Sequence, residues 1–204
     1  MKNKRLIIIG AGGHGRVCEE IAGLCGYQER VFLDDNKDRP SEFVILGNTA
    51  DFEKYIDDSE FFVAIGDNRA RRRLQENIVQ KGGGMATLIH PQAVVSASAV
   101  IGKGAVVMAG AVVNPGAVIG DGVIINTCSS VDHECNIGAF VHIAVGAHLA
   151  GLVDVGENTF FGAGSTAVNH ISVSADTIIG AGAVVVNDIK ESGTYVGVPA
   201  VKIK

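Results

Sequence analysis

The stretch SSVDHECNIGAFVHI, residues 129–143, places an acid, a histidine and a second acid in succession at Asp132, His133 and Glu134. A second histidine, His142, follows nine residues later. A carboxylate beside an imidazole favours its protonated form, so Glu134 is expected to increase the basicity of His133. Such a histidine suits a general base that removes a proton from an amine or a hydroxyl group. The alternative is a pair of ordinary surface histidines.

A glycine-rich loop is the second feature with a chemical use. Gly10, Gly12 and Gly15 satisfy G-x-G-x-x-G between an apolar run and a helical pattern, and Asp34 and Asp35 follow about twenty residues on. Glycine lets the backbone approach a phosphate, and the N–H groups at a helix start favour anions. Only about 85 residues precede the repeats described below, which favours a mononucleotide or an activated sugar over NAD. A tight turn without a ligand is the alternative.

Two further features are predicted near this loop. Gly66 and Asp67 end another strand, so they are expected on the same carboxyl edge as the glycine loop. The run NRARRRL begins the next helix, with Arg69 and either Arg72 or Arg73 on one side. We interpret that side as a solvated helix face, with a phosphate clamp as the alternative.

The elements that carry these residues fall into two parts. Residues 1–90 alternate strand-like and helix-like patterns, which predicts a Rossmann-like α/β half-domain. Residues 91–204 form the second part. From residue 93 the sequence keeps a period of six, and three repeats make one eighteen-residue coil, which predicts a three-sided parallel β-helix with about five coils between 93 and 188. Glycines are expected to supply permissive corners. The apolar series is Val95, Ile101, Val107, Val113, Ile119, Ile125, Val131, Ile137, Ile143, Leu149, Val155, Phe161, Ala167, Val173, Ile179 and Val185, and glycine follows it at 102, 120, 138, 156, 162 and 180.

Residues eighteen apart stack above one another in successive coils, which are about 4.8 Å apart, and we call such a stack a column. His133 takes a corner and points away from the core, and His142 takes an outward position on the next side. Ala163 and Ala181 stack one coil apart in two GAG corners. The column of His133 contains Pro115, Gly151 and Asn169, and that of Glu134 contains Leu152 and His170.

Composition narrows the function further. The net charge of −5 gives little support for nucleic-acid binding, and the absence of an apolar run of about 18 residues predicts no membrane span. The N-terminus MKNKRLIIIGAGG is interpreted as a strand and not as a signal peptide.

Cysteines at 18, 25, 128 and 135 form no CxxC pair, so we expect reduced thiols in a cytoplasmic protein, with Cys128 and Cys135 as packing residues. No metal is expected, because the histidines at 133, 142, 148 and 170 fall on different sides and coils.

The chain resembles the hexapeptide-repeat nucleotide-sugar acyltransferases, in particular the UDP-4-amino-sugar N-acetyltransferases of the bacillosamine pathway, and it also resembles sialic acid O-acetyltransferases. The matching stretches are GAGGHG, VFLDD, AIGDN, LIHPQA, NTCSSVDHECNIGAFVHIAVGAHLAG and YVGVPA. They cover nearly the whole chain. The resemblance implies a left-handed β-helix. Asp67 departs from the asparagine of many relatives, so contacts near Gly66 could differ.

The resemblance also implies roles for individual residues. His133 is expected to be the general base, with Glu134 increasing its basicity. The residues implied for the UDP-sugar are Gly12, Gly13, His14, Asp34, Asp35 and Gly66. The residues implied for acetyl-CoA are His142, Ala163 and Ala181.

With these roles, the resemblance implies acetyl transfer from acetyl-CoA to the 4-amino group of a UDP-4-amino-4,6-dideoxy sugar. The amine is expected to attack the thioester directly, without an acyl-enzyme, metal or NAD. The alternatives are O-acetylation of a sialic-acid-like sugar and a nucleotide-sugar-binding scaffold without chemistry. A homotrimer with active sites between subunits is expected, because a lone β-helix would expose apolar outward residues. Those residues are Val106, Val112, Ile124 and Val184.

Overall fold

The chain divides into two units, Met1–His90 and Pro91–Lys204. The computed structural model describes residues 5–36 and 43–204. The first unit is a Rossmann-like α/β half-domain and the second is a left-handed parallel β-helix, so the predicted fold class is confirmed.

The first unit contains a parallel sheet with the strand order β3-β2-β1-β4-β5. Its strands are β1 (Arg5–Ile9), β2 (Arg30–Leu33), β3 (Ile45–Gly47), β4 (Ser59–Val63) and β5 (Gly84–Met85), and a short strand β6 (Leu88–Ile89) ends the unit. Helix α1 (Gly13–Leu24) follows β1, a 3₁₀ segment (Thr49–Tyr55) follows β3, and helix α2 (Asn68–Gln80) follows β4.

The central strand β1 is an unbroken apolar run because both faces of a parallel sheet are covered. Leu6 through Ile9 have no exposed surface. The strand order reverses between β1 and β4, and α/β sheets bind ligands beyond the carboxyl ends of the strands at such a point. The loops that follow β1 and β4 flank this point, and a Cβ on Gly10 would lie 3.0 Å from the carbonyl oxygen of Ala64. The sheet therefore brings the glycine loop and the Gly66 loop to one edge.

The second unit is built from short strands six residues apart, arranged in three parallel sheets. The first sheet contains β7 (Val94–Val95), β10 (Val112–Val113), β13 (Ser130–Val131), β16 (His148–Leu149), β19 (Thr166–Ala167) and β22 (Val184–Val185). The second contains β8 (Val100–Ile101), β11 (Val118–Ile119), β14 (Asn136–Ile137), β17 (Asp154–Val155) and β20 (Ser172–Val173). The third contains β9 (Val106–Val107), β12 (Ile124–Ile125), β15 (His142–Ile143), β18 (Phe160–Phe161), β21 (Ile178–Ile179) and β23 (Thr194–Val196), against which β24 (Val201–Lys202) pairs in the antiparallel direction.

The predicted apolar series is the core of this β-helix. Each member is the second residue of its strand and points inward, and each pairs with the member eighteen residues away, as Val113 does with Val131. Val95 and Ile101, in the first coil, are only partly buried. The period-six pattern thus identified the inward residues without a shift of register.

The glycines that follow the strands have a different role from the predicted one. Gly102, Gly120 and Gly138 do not adopt the left-handed conformation that favours glycine. They are required because a Cβ would lie within 3 Å of backbone atoms in the next coil. The left-handed corners are instead occupied by other glycines, such as Gly104 and Gly122, and also by residues with side chains. Those residues are Cys128, Glu134, Phe140, Leu152, Asn158, His170 and Asp176.

The outward apolar residues also differ from the prediction. Val106 and Ile124 were expected to be exposed, but they are 0% and 1% exposed within a single chain. Because other residues of the same chain already cover them, they offer no area to a partner subunit. Val112 and Val184 are partly exposed. Among the first residues of the parallel strands β7–β22, Val94 and Val100 are the most exposed apolar side chains, followed by Ile178 and Val118.

Candidate active site

His133 lies at the corner after β13, with about half of its side chain exposed. Its Nδ1 is 3.2 Å from Oε2 of Glu134. A carboxylate can only accept hydrogen bonds, so the neutral imidazole has its proton on Nδ1 and a lone pair on Nε2. That lone pair is the group a general base needs.

The ring of His133 extends over the next coil. Gly151, which is eighteen residues later and belongs to the same column, lies beneath the ring. A Cβ on Gly151 would overlap Nε2 and Cε1 of the imidazole. The backbone keeps the regular register there, since the N–H of Leu152 donates to the carbonyl of His133 at 3.0 Å. The eighteen-residue coil therefore sets which residue lies beneath the basic nitrogen.

Asp132 holds the backbone at this corner. Its Oδ1 accepts hydrogen bonds from the backbone N–H of His133 and from Nδ2 of Asn114, both at 2.7 Å. These two donors, the backbone N–H first, lower the pKa of Asp132 below its usual value, so the carboxylate is ionised at neutral pH. Of the two acids beside His133, Glu134 orients the ring and Asp132 fixes the main chain.

His142 projects outward from β15, and its ring packs edge-on against Phe160 with centroids 5.1 Å apart. Its Nε2 is 3.1 Å from Nδ2 of Asn126. The amide of Asn126 is oriented by the backbone N–H of Thr127, which donates to its Oδ1 at 2.8 Å. The NH₂ group therefore faces His142 and donates to Nε2, which makes His142 neutral with its proton on Nδ1. With its Nε2 lone pair occupied, His142 is a weaker candidate for the base than His133.

Ala163 and Ala181 lie in exposed corners next to the third sheet, each followed by an exposed glycine. The coils stay in register, because the N–H of Gly182 donates to the carbonyl of Ala163 at 2.9 Å. A Cβ on Gly164 or Gly182 would meet nothing within 4 Å. These residues form a smooth exposed strip of backbone and methyl groups, as the repeated GAG predicts.

At the edge of the first unit, both predicted acids bond to the protein's own loops. Oδ2 of Asp34 accepts a hydrogen bond from the N–H of Ala11 at 2.6 Å, which holds the glycine loop against β2. Asp35 accepts hydrogen bonds from the backbone N–H and the hydroxyl of Thr49, both at 2.9 Å. Gly13 is exposed, and a Cβ there would meet nothing within 4 Å, so packing does not require glycine at this position.

His14 lies in the first turn of α1. Burial, and then the nearby positive charge of Arg71, lowers the pKa of His14 to about 4, so its imidazole is neutral at pH 7. Arg71 is itself buried and donates to the carbonyls of Ile65 at 3.0 Å and Gly66 at 3.2 Å. At this edge of the sheet, the imidazole of His14 is therefore neutral, and the buried guanidinium of Arg71 contacts the carbonyl of Gly66.

The predicted arginines were Arg69 with Arg72 or Arg73, and Arg71 was not among them. The sequence contains a signal, because Arg71, Gln75 and Ile78 recur at spacings of four and three on one helix face. The structure shows that all three are buried. Asn126 was missed as well. It follows the inward Ile125 directly, and only the fold brings its amide to a histidine sixteen residues away.

The two cysteines of the β-helix also differ from each other. Cys135 is buried, as predicted, and its thiol donates to the carbonyl of Ala150 at 3.1 Å. Burial raises the pKa of this thiol. Cys128 is exposed at a left-handed corner, so its interpretation as a packing residue was wrong.

Known proteins match both units. Residues 5–78 match the family model described as PglD N-terminal domain, and residues 98–133 match the one described as Bacterial transferase hexapeptide (six repeats). The GDP-perosamine N-acetyltransferase of Escherichia coli O157:H7 is 30% identical over 166 residues, which cover 78% of this chain and 75% of that protein. This chain belongs to the hexapeptide-repeat nucleotide-sugar acyltransferase family.

Two further relatives of this acyltransferase are informative. The UDP-N-acetylbacillosamine N-acetyltransferase of Bacillus subtilis (strain 168) is 36% identical over 102 residues, or 47% of each chain. The acetyltransferase domain of PglB from Neisseria gonorrhoeae FA1090, solved in complex with acetyl coenzyme A, is 44% identical with a TM-score of 0.95. That match covers 99% of this chain and 100% of the solved one.

Within residues 5–36 and 43–204 of this acyltransferase, no group of three or more histidine, cysteine or acidic side chains could hold a metal ion. No helix in the same ranges is long and apolar enough to cross a membrane.

The orientation of Asn126 predicts the protonation of His142. In the wild-type protein, nitrogen NMR of labelled histidine should find the proton of neutral His142 on Nδ1. Asn126→Asp replaces the NH₂ donor with an acceptor, so the variant should have a proton on Nε2. Asn126→Ala is the control that removes the partner without reversing it. A wild-type ring protonated on Nε2 would contradict the assignment.

Proposed function

We propose that this acyltransferase moves the acetyl group of acetyl-CoA to the 4-amino group of a UDP-linked 4-amino-4,6-dideoxy sugar. The observation that carries the proposal is the corner at His133, where Glu134 accepts a hydrogen bond from Nδ1–H and the lone pair is therefore on Nε2. Two curated relatives are named as N-acetyltransferases of nucleotide-linked amino sugars, and a third protein was solved with acetyl coenzyme A. Since those names include both a GDP and a UDP sugar, the nucleotide is a separate part of the proposal.

The chemistry is a direct transfer between the two substrates. The neutral amine attacks the thioester carbonyl, and its proton passes to Nε2 of His133. The tetrahedral intermediate then collapses, the C–S bond breaks, and the thiolate of CoA leaves with a proton returned by the histidine. The nearest cysteine in sequence, Cys135, is buried with a raised pKa, so it is a poor nucleophile and supports a route without an acyl-enzyme.

The nucleotide part of the acceptor is assigned to the carboxyl edge of the first unit. Gly12, Gly13, His14 and Gly66 line the loops at the switch point, where free space above Gly13 would admit a phosphate. The buried cation of Arg71 favours an anion nearby. Asp34 and Asp35 are proposed to contact the nucleotide while they hold their loops. One βαβ half of this size favours a single nucleotide over NAD.

The donor is assigned to the strip at Ala163 and Ala181, together with His142. The strip has no bulky side chain, so an extended pantetheine arm could lie against it. His142 presents a neutral ring on the adjacent face of the third sheet. Because Asn126 donates to its Nε2, this ring can contact a thioester without competing for the amine proton.

The proposal includes a homotrimer with active sites between subunits. Exposed Val94, Val100 and Val118 form apolar surface on two sides of the β-helix. Burial of such surface between identical copies favours closed symmetry. Sedimentation equilibrium should find a trimer, and a stable active monomer would contradict this part.

An acceptor panel tests the reaction and the base together. Thiol release from acetyl-CoA should be fast with a UDP-4-amino sugar, slower with its GDP counterpart, and near background with a hydroxyl-only sugar.

His133→Ala should lower kcat by about 10²–10⁴-fold, the usual contribution of a general base, with a smaller loss for Glu134→Ala. His170→Ala, at an exposed corner, is the matched control. Near-normal turnover by His133→Ala would refute the mechanism, and a preference for GDP would correct the nucleotide.

Enlarged side chains on the strip test the donor site. Ala163→Leu or Ala181→Leu should raise the KM for acetyl-CoA at least about tenfold, because the new side chain occupies the path of the arm. Calorimetry should find UDP binding unchanged, and the exposed location of both residues should preserve the fold. Unaltered acetyl-CoA kinetics in both folded variants would place the donor elsewhere.

A further inference from the structure

The corner of Gly151 differs from the crowded corners at Gly138 and Gly156. At Gly138 and Gly156 an added Cβ would strike the backbone of the next coil. At Gly151 the three nearest atoms to an added Cβ all belong to the imidazole of His133. The methyl group of an alanine would thus collide first with one side chain, because any backbone atom outside its own and the adjacent residues lies at 3.0 Å or more.

The main chain at Gly151 does not require glycine. Gly151 is outside the set of residues with left-handed φ, which includes its neighbour Leu152. The ladder on both sides is regular, with Leu152 N–H donating to the carbonyl of His133 and His170 N–H donating to that of Gly151. An alanine could therefore adopt this backbone, and only the ring of His133 would have to move.

We propose that Gly151 is a positioning residue that holds Nε2 of His133 in its reactive place by leaving room beneath the ring. The inference rests on the proposed function of His133 as the base. Two contacts define the position of the ring: the carboxylate of Glu134 at Nδ1, and the bare backbone of Gly151 beneath Nε2. A methyl group at residue 151 rotates the ring away, which breaks the first contact and displaces the lone pair.

The kinetic test is a double-mutant cycle of Gly151→Ala and His133→Ala. Gly151→Ala should lower kcat by about 10–100-fold, since a displacement of about 1 Å costs up to that much, and leave the KM for acetyl-CoA within about twofold. In the His133→Ala background the same change should have no further effect, because the ring is gone. Leu152→Ala, at the next and exposed position, is the matched control with normal kcat.

A second readout follows the ring itself. In protein labelled at histidine, Gly151→Ala should shift the imidazole signals of His133, identified by their loss in His133→Ala, and leave those of His148 in place. Wild-type kcat with unshifted His133 signals would overturn the inference. An equal loss of activity in both backgrounds would also overturn it, because Gly151 would then act on a substrate and not through His133.

Failure of the proposed function has a different signature. If His133→Ala turns over normally, the general-base mechanism is wrong whatever Gly151→Ala does. The positioning role of Gly151 is then tested by the imidazole signals of His133 only. A shift of these signals in Gly151→Ala supports the role, and unchanged signals refute it.

Discussion

The hydrogen-bonded register between coils eighteen residues apart is the constraint on which the rest of the β-helix depends. Asp132 donates its N–H to Leu149 at 3.1 Å, and Glu134 donates its N–H to Pro115 at 3.0 Å, so the corner of His133 is tied to the coils on both sides. A slip of one residue would send every inward side chain of a strand outward. Because the apolar core forbids that slip, each polar residue has a fixed neighbour in the next coil. A rigid repeat can thus hold a reactive side chain without a dedicated loop.

In the β-helix, His133 and His142 differ in their hydrogen-bond partners, although the two imidazole rings are chemically the same. Both have the proton on Nδ1 when neutral, yet for opposite reasons. Glu134 accepts from Nδ1 of His133, whereas Asn126 donates to Nε2 of His142. One ring therefore has its lone pair on an Nε2 that lies above Gly151, and the other has that nitrogen occupied by the amide of Asn126. One acidic and one amide side chain are thus enough to leave the Nε2 lone pair of one histidine available and to occupy that of the other.

In the first unit, hydrogen bonds from charged side chains likewise fix the positions of neighbouring loops. The parallel sheet brings the loops after β1 and β4 together, and Asp34 and Arg71 then fix those loops from within. Asp34 satisfies the N–H of Ala11, and Arg71 satisfies the carbonyls at Ile65 and Gly66. These charged groups are therefore built into the loops, and they set the geometry of the carboxyl edge of the sheet.

The sequence by itself determined the features that depend on periodicity. The spacing of six placed the inward residues, and the spacing of eighteen placed His133 above Gly151 and Ala163 beside Ala181, because a β-helix without insertions converts sequence distance directly into position. Only the tertiary structure decided which side chains meet within a column or between faces. The amide of Asn126 reaches His142, Arg71 turns inward from a run of arginines, Cys128 turns outward, and Val106 is covered. Those outcomes depend on rotamers and packing in three dimensions, which a repeat in one dimension does not encode.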